Sequence, residues 1–236
     1  MIPNPLRVIW GLWMWLLVPP LLLVAAVPIL LLPGLAARRR VAAGLCRGYF
    51  LLCGLPVRAR GLERLPAGPC IVVANHASYM DGPLLFACLP PRFGFVIKKE
   101  ASRVPLLGLL LRRLGHHFVE RRNRHEGADD ARQILRAVER RDSVVFFPEG
   151  TFSAPSGLAR FHGGAFATAL RACVPVAPVA IRGTRRVLPA RTRLPRWARI
   201  EVEALEPIPV APRVPAARLR DAARARIADS LGEPLL

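Results

Sequence analysis

From Val57 onward, short apolar runs alternate with stretches of helical pattern, and this alternation confines the chain to a layered α/β fold. The runs at 57–60, 70–75, 93–97, 117–120, 143–147, 175–181 and 198–204 read as strands. Between them, 83–89, 104–114, 126–141 and 163–171 read as helices, and 216–231 as a closing Arg-rich amphipathic helix. The segment 126–141 is the clearest, because Asp129 and Asp130 lie near its start and Arg140 and Arg141 at its end, as the helix dipole favours. The expected architecture is a mixed, largely parallel sheet flanked by helices. The Pro- and Arg-rich stretch 183–197 reads as a loop or poorly ordered link.

The first 56 residues differ in kind. No charge occurs between Arg7 and Arg38, and about 20 apolar residues suffice for a helix to cross a bilayer. Pro19, Pro20, Pro28 and Pro33 would kink or divide such a helix, so a re-entrant hairpin competes with a single span. Trp10, Trp13 and Trp15 cluster as in an interfacial aromatic belt, and Arg38–Arg40 mark the downstream side as cytoplasmic. Residues 41–56 form a second apolar segment, suited to an amphipathic helix on the membrane surface. The chain therefore divides into membrane-associating helices, 1–56, and an α/β domain, 57–236.

The net charge of +19 favours an anionic partner: nucleic acid, an acidic bilayer or phosphorylated ligands. Lys98 and Lys99 are the only lysines, so 33 of the 35 basic residues are arginine. Most single arginines are therefore solvated surface. Five cysteines without a Cys-x-x-Cys pair read as small core residues in a reducing compartment.

Polar motifs stand where the strands end. Asn75-His76-Ala77-Ser78-Tyr79-Met80-Asp81 follows the apolar run Cys70–Ala74; Lys98 and Lys99 follow 93–97; Arg121 and Arg122 follow 117–120; Pro148-Glu149-Gly150-Thr151 follows 143–147. Ligands of open α/β sheets bind outside the carboxyl ends of the strands. If these four strands are parallel, a base, a carboxylate and two cationic pairs share one edge. A neutral imidazole can take a hydroxyl proton, and a carboxylate can fix its tautomer. Five residues correspond to about 140° on a regular helix, so only a tight turn would bring Asp81 back to His76. A plainer role also exists: Asp81 before Gly82-Pro83 suits a helix N-cap, and His76 a loop. The Pro148–Thr151 turn can set N–H groups against phosphate or polyol oxygens, or be an ordinary β-turn. Arg121, by its guanidinium fork, and Lys98, as a point charge, are candidate phosphate ligands. His116, His117, His125 and His162 read as surface or core. The sequence has no Gly-x-Ser-x-Gly elbow, no Gly-x-x-x-x-Gly-Lys-Ser/Thr loop and no His/Cys cluster of metal-ligand spacing.

These motifs together resemble the glycerolipid acyltransferases typified by 1-acylglycerol-3-phosphate acyltransferase. Asn75-His76 through Asp81 is similar to their Asn-His-x4-Asp block. Lys98-Lys99-Glu100, Gly115 and Val119-Glu120-Arg121 resemble the second block, whose arginine contacts the acceptor phosphate. Phe147–Thr151 resembles the third and Val174–Val179 the fourth. The match runs over roughly 57–182. Phe152 stands where the family often has arginine, and His162 where Phe-Lys-x-Gly is frequent.

The resemblance implies transfer of a fatty acyl group from acyl-CoA or acyl-carrier protein to the free hydroxyl of a lysophospholipid, lysophosphatidate by default. It implies neither cofactor nor metal, and lipids rather than nucleic acid as partners. His76 would be the general base and Asp81 its orienting carboxylate. Asn75, Lys98, Arg121, Glu149, Gly150 and Thr151 would form the acceptor site. The implied location is the inner, cytoplasmic membrane with the catalytic domain on the cytoplasmic face. A lyso-aminolipid such as lyso-ornithine lipid is the alternative acceptor. A non-enzymatic phospholipid-binding protein and a thioesterase are the alternative classes.

Overall fold

The computed structural model describes residues 5–120, 124–151, 157–211 and 213–236. Seven strands, β1 (Val57–Arg60), β2 (Ile71–Ala74), β3 (Phe93–Lys98), β4 (His117–Val119), β5 (Ser143–Phe146), β6 (Val176–Arg182) and β7 (Ile200–Ala204), form one sheet in the order β1-β7-β6-β2-β5-β3-β4. From β6 to β4 all neighbours are parallel; β7 runs antiparallel to β6, and β1 follows β7. All seven expected strands are present, and the mixed, largely parallel sheet is as the alternation required.

Helices cover both faces: α4 (Asp81–Cys88) on one, and α6 (Arg124–Glu139), α7 (Gly164–Arg171) and α9 (Ala216–Leu231) on the other. Strand β2 shows why. Its four residues are all buried, with Val72 and Ala74 in the cluster containing Leu84 and Leu85, and Ile71 and Val73 in the cluster containing Phe166 and Ile227. A run apolar at every position suits a central parallel strand covered on both sides.

Two expectations change. The helix expected over 104–114 is present as α5 (Leu107–Arg113) but starts later, and a 3-10 turn, Lys99–Arg103, precedes it. Pro105 lacks the N–H that a continuous helix would use there. The stretch 183–197 is ordered: α8 (Thr184–Val187) opens it, Val187 and Leu188 enter the core, and Trp197 donates to the Gly54 carbonyl at 2.8 Å. Its start requires glycine. Gly183 has φ +90°, and a Cβ there would lie 2.0 Å from the Arg199 carbonyl oxygen.

The N-terminal region comprises α1 (Pro5–Leu16), α2 (Val18–Leu31) and α3 (Leu35–Leu52). The α1–α2 stretch, Pro5–Leu31, is long and apolar enough to cross a membrane. It is nevertheless seated on the domain along its length. Arg7 donates to the Leu194 carbonyl near one end, while Ala25 and Ile29 pack with Ala42, Leu110 and Leu114 near the other. The prolines cause less disruption than expected: Pro19 and Pro20 occupy the first turn of α2, where N–H groups lack partners in any helix. Helix α3 buries one face, with Ala42, Ala43, Tyr49 and Phe50, and exposes Leu51 and Leu52 at its end. Met14, Tyr49, Phe50 and Cys53 join the sheet's own core cluster, so residues before Val57 form a layer of the same body.

The charges and tryptophans at these helices have structural partners. Arg39 is 3% exposed and donates to the carbonyls of Leu114 and Gly115, while Arg38 reaches those of Leu32 and Arg113. Trp10 and Trp13 donate to Cys53 and Leu52, two of the carbonyls that a helix end leaves without intrahelical partners.

Candidate active site

The parallel run β6-β2-β5-β3-β4 places the carboxyl ends of all five strands on one edge. The exits at His76, Lys98 and Pro148 thus share that edge, as the sequence suggested. His76 leaves β2 between the exits of its two neighbours, β5 and β6.

Asn75 pins the end of β2. Its Nδ2 donates to the Ile181 carbonyl at 2.9 Å, and its Oδ1 accepts from the Ile181 N–H at 2.7 Å. The side chain is buried and its amide is occupied by backbone. Asn75 is therefore a clamp between β2 and β6.

The next six residues close a turn on Asp81. Its Oδ2 accepts the N–H groups of Ala77 at 2.7 Å and Ser78 at 2.8 Å, and lies 2.9 Å from His76 Nδ1. The Ser78 hydroxyl donates to the Leu188 carbonyl and accepts the Met80 N–H. Helix α4 begins at Asp81 without a side-chain cap, so Asp81 points back into the turn and not onto the helix end. A carboxylate can only accept, so Nδ1 carries the proton and Nε2 is the basic nitrogen. Asp81 is fully buried, with its Oδ1 unpartnered among the described residues; His76 keeps 18% of its side chain exposed. The pair has a buried anion behind an imidazole that reaches the surface.

Two groups hold His76 from the β5 side. The Phe147 ring stacks on the imidazole at 4.3 Å between centroids and 23° between planes. Glu149 accepts the His76 N–H on Oε1 at 2.6 Å and the Ala159 N–H on Oε2 at 2.9 Å. Burial pushes the Glu149 carboxyl above its ordinary pKa, opposed by those two N–H groups and by His76 and Arg185. With one N–H on each oxygen, Glu149 joins the two loops.

Gly150 turns the chain at φ +77°, donating its N–H to the Phe147 carbonyl. Thr151 is exposed at the same turn, and Lys98 is exposed at the end of β3, beyond β5 from His76. Arg121, like Phe152, lies outside the described residues. The other histidines stay apart. His116 Nδ1 accepts the Phe95 N–H, and burial pushes its pKa down to about 3, with Arg39 adding to the effect. His162 is exposed, with its N–H on the Pro148 carbonyl.

Sequence reasoning did not single out Phe147, Ser78 or Ala159. Phe147 had a signal, an aromatic at the last position of a strand that feeds the Pro-Glu turn. Ser78 and Ala159 act through pairing with residues 110 and 10 positions away, which no local pattern reveals.

The arrangement can deprotonate a hydroxyl at the sheet edge, with a carboxylate ready to balance the charge left on the imidazole. The chain is 32% identical over 161 residues to a 1-acyl-sn-glycerol-3-phosphate acyltransferase of Saccharomyces cerevisiae, covering 67% of this chain and 53% of that protein. It is 34% identical over 179 residues to a lyso-ornithine lipid O-acyltransferase of Pseudomonas aeruginosa, covering 67% of each. Across such relatives the chain spans between 38% and 67% of their length. The fold matches that of the 1-acyl-sn-glycerophosphate (LPA) acyltransferase PlsC of Thermotoga maritima with a TM-score of 0.84, at 20% identity, covering 95% of this chain and 94% of that one. Residues 56–182, which contain the whole His76–Asp81 turn and the Glu149 clamp, match the family model described as Acyltransferase, and this chain belongs to that family.

Proposed function

We propose that this protein transfers a fatty acyl group from a thioester, acyl-CoA or acyl-carrier protein, to the free hydroxyl of a lysophospholipid, with 1-acylglycerol-3-phosphate as acceptor and phosphatidic acid as product. The observation that carries the reading is the 2.9 Å contact between His76 Nδ1 and the buried Asp81 carboxylate, at the carboxyl edge of the sheet. His76 Nε2 removes the acceptor's hydroxyl proton as the oxygen attacks the thioester carbonyl. Asp81 stabilises the imidazolium. The tetrahedral intermediate collapses by breaking the C–S bond, and the imidazolium returns its proton to the departing thiolate. The thioester is already activated, so no acyl-enzyme, cofactor or metal enters the scheme. Positioned proton transfer of this kind contributes roughly 10²–10⁴-fold in rate. Lys98, Thr151 and Arg121 are the candidates for holding the acceptor phosphate.

The acceptor and product are bilayer lipids, and the N-terminal layer suits that. Leu6, Ile9, Leu12 and Leu16 of α1, with Leu23, Val27 and Leu31 of α2, form an exposed apolar face. The opposite face is bound to the domain, so the helix lies along the interface of one leaflet and does not cross it. The domain then sits on the inner membrane's cytoplasmic side, where thioester donors are made.

A second acceptor is favoured by one observation. The lyso-ornithine lipid O-acyltransferase relative is covered as fully as this chain is. The purified protein is incubated with acyl-CoA or acyl-carrier protein and a panel of lysolipids, beside His76→Ala. Wild type acylates lysophosphatidate fastest and His76→Ala loses at least a hundredfold with its fold intact. Near-normal transfer by the variant removes the base assignment, free fatty acid as the sole product makes the protein a thioesterase, and no turnover with any donor leaves only lipid binding.

A further inference from the structure

The segment that follows β6 is strongly basic. Between Arg182 and Glu201 there is no acidic residue, and Arg185, Arg186, Arg191, Arg193, Arg196 and Arg199 fall within it. Five of these are exposed, Arg185 being the exception. Arg185 has a partner in Glu233, at 3.1 Å. The side chains of Arg186, Arg191, Arg193, Arg196 and Arg199 make no hydrogen bond or ion pair among the described residues.

The segment's position is fixed by main-chain contacts to the apolar helices. Trp15 Nε1 donates to the Arg193 carbonyl at 2.7 Å, and Arg7 to the Leu194 carbonyl at 3.5 Å. The Leu194 side chain fills the space beside Gly11, where a Cβ would lie 2.6 Å from it. Trp197, 57% exposed, donates to Gly54 at the end of α3, next to the exposed Leu51 and Leu52. The arginine stems thus rise from a rigid strip bordering exposed leucines, with Trp15 and Trp197 at the boundary. Indoles prefer the region where apolar chains meet water, and arginine forks pair with phosphate oxygens.

We propose that residues 186–199 form a docking strip for anionic lipid headgroups, which selects an acidic leaflet and sets the depth of α1 and α2 in it. This rests on the in-plane membrane reading above and adds the lipid class and the residues that recognise it. Charge complementarity chooses the occupant, since each basic side chain near an acidic bilayer contributes about 1 kcal/mol. The strip also touches the catalytic turn, because Leu188 accepts the Ser78 hydroxyl and the Arg196 N–H bonds the neighbouring Val187 carbonyl.

The full chain is tested with R191Q, R193Q and R196Q combined. The main-chain contacts that fix the strip survive this change. Sedimentation is compared with vesicles of phosphatidylcholine alone and of phosphatidylcholine with phosphatidylglycerol. Three lost contacts of about 1 kcal/mol each weaken binding to the acidic vesicles on the order of a hundredfold. Binding to the neutral vesicles, and acyl transfer in neutral detergent micelles, stay at wild-type levels. Equal binding of wild type and variant to acidic vesicles overturns the strip, as does an equal loss on both vesicle types. Wild type that binds neither vesicle overturns the in-plane reading as well. A strip held by an oligonucleotide, with no preference between vesicles, would assign it to nucleic acid instead.

Discussion

Asp81→Asn separates the charge of the Asp81 carboxylate from its shape. The amide oxygen can take the place of Oδ2 and keep the N–H groups of Ala77, Ser78 and the His76 ring. The turn and the tautomer of His76 therefore persist. What disappears is the attraction between an ionised carboxylate and the imidazolium that exists only during transfer. With Nδ1 and Oδ2 2.9 Å apart, the delocalised charges are centred about 4 Å from each other. At an effective dielectric constant of about 20, that separation corresponds to about 4 kcal/mol. That attraction acts only once the hydroxyl proton has moved to the ring, so the loss falls on kcat, by about three powers of ten, with the KM of either substrate little changed. The amide NH2 would occupy the buried position of Oδ1, which has no hydrogen-bond partner among the described residues, and a donor left unpaired there costs about 1–3 kcal/mol in stability. Thiol release from acyl-CoA at saturating acceptor measures kcat, and a denaturant titration measures the fold. A variant that folds and retains kcat within about tenfold would refute the charge-balancing role of Asp81.

Two further outcomes follow from buried groups. Glu149→Ala leaves the His76 and Ala159 N–H groups without acceptors, partly offset by relief of the buried carboxylate; the expected cost is about 2 kcal/mol in urea unfolding with a fall in kcat. An unchanged stability with a raised acceptor KM would return Glu149 to the substrate pocket. His116 has a folded pKa of about 3 against 6.5, so the unfolded chain binds the proton first. Its contribution to stability is complete above about pH 6.5 and is lost as pH falls towards 3, with a slope approaching 1.36 kcal/mol per pH unit. His116→Leu should flatten the urea stability profile between pH 6 and 5, and an unchanged slope would refute the assignment.

The strands were legible because parallel pairing buries both faces. Ile71-Val72-Val73-Ala74 can be little else between Pro69 and the polar Asn75. The N-terminal layer was legible only as apolar. Arg38 and Arg39 look like a positive flank of a membrane span because a sequence does not show the carbonyls of Arg113, Leu114 and Gly115 that receive them. The tryptophans were legible only as amphipathic, since a sequence does not show that the indole N–H groups of Trp10 and Trp13 meet carbonyls at the end of α3. In 183–197, proline and arginine composition suggested a loose link. What orders it is Val187 and Leu188 in the core and the contacts with α1, all of them distant in sequence.

The site shows where local chemistry stops being informative. His76 and Asp81 belong to one turn, so spacing and residue type were enough to pair them. Asn75 and Glu149 stand at strand exits as well, and their side chains meet backbone distant in sequence, Asn75 that of Ile181 in β6 and Glu149 those of His76 and Ala159. A polar residue at such an edge can face either substrate or neighbouring loops. The choice is made by which N–H groups the sheet order leaves unpaired. Strand β2 ends between β5 and β6, and His76 and Ile181 both present main-chain N–H groups beyond the ladder. An unmet buried N–H costs about 1–3 kcal/mol. A carboxylate and an amide within reach are drawn to them first, and the polar side chains that still reach solvent on the same edge include His76, Lys98 and Thr151.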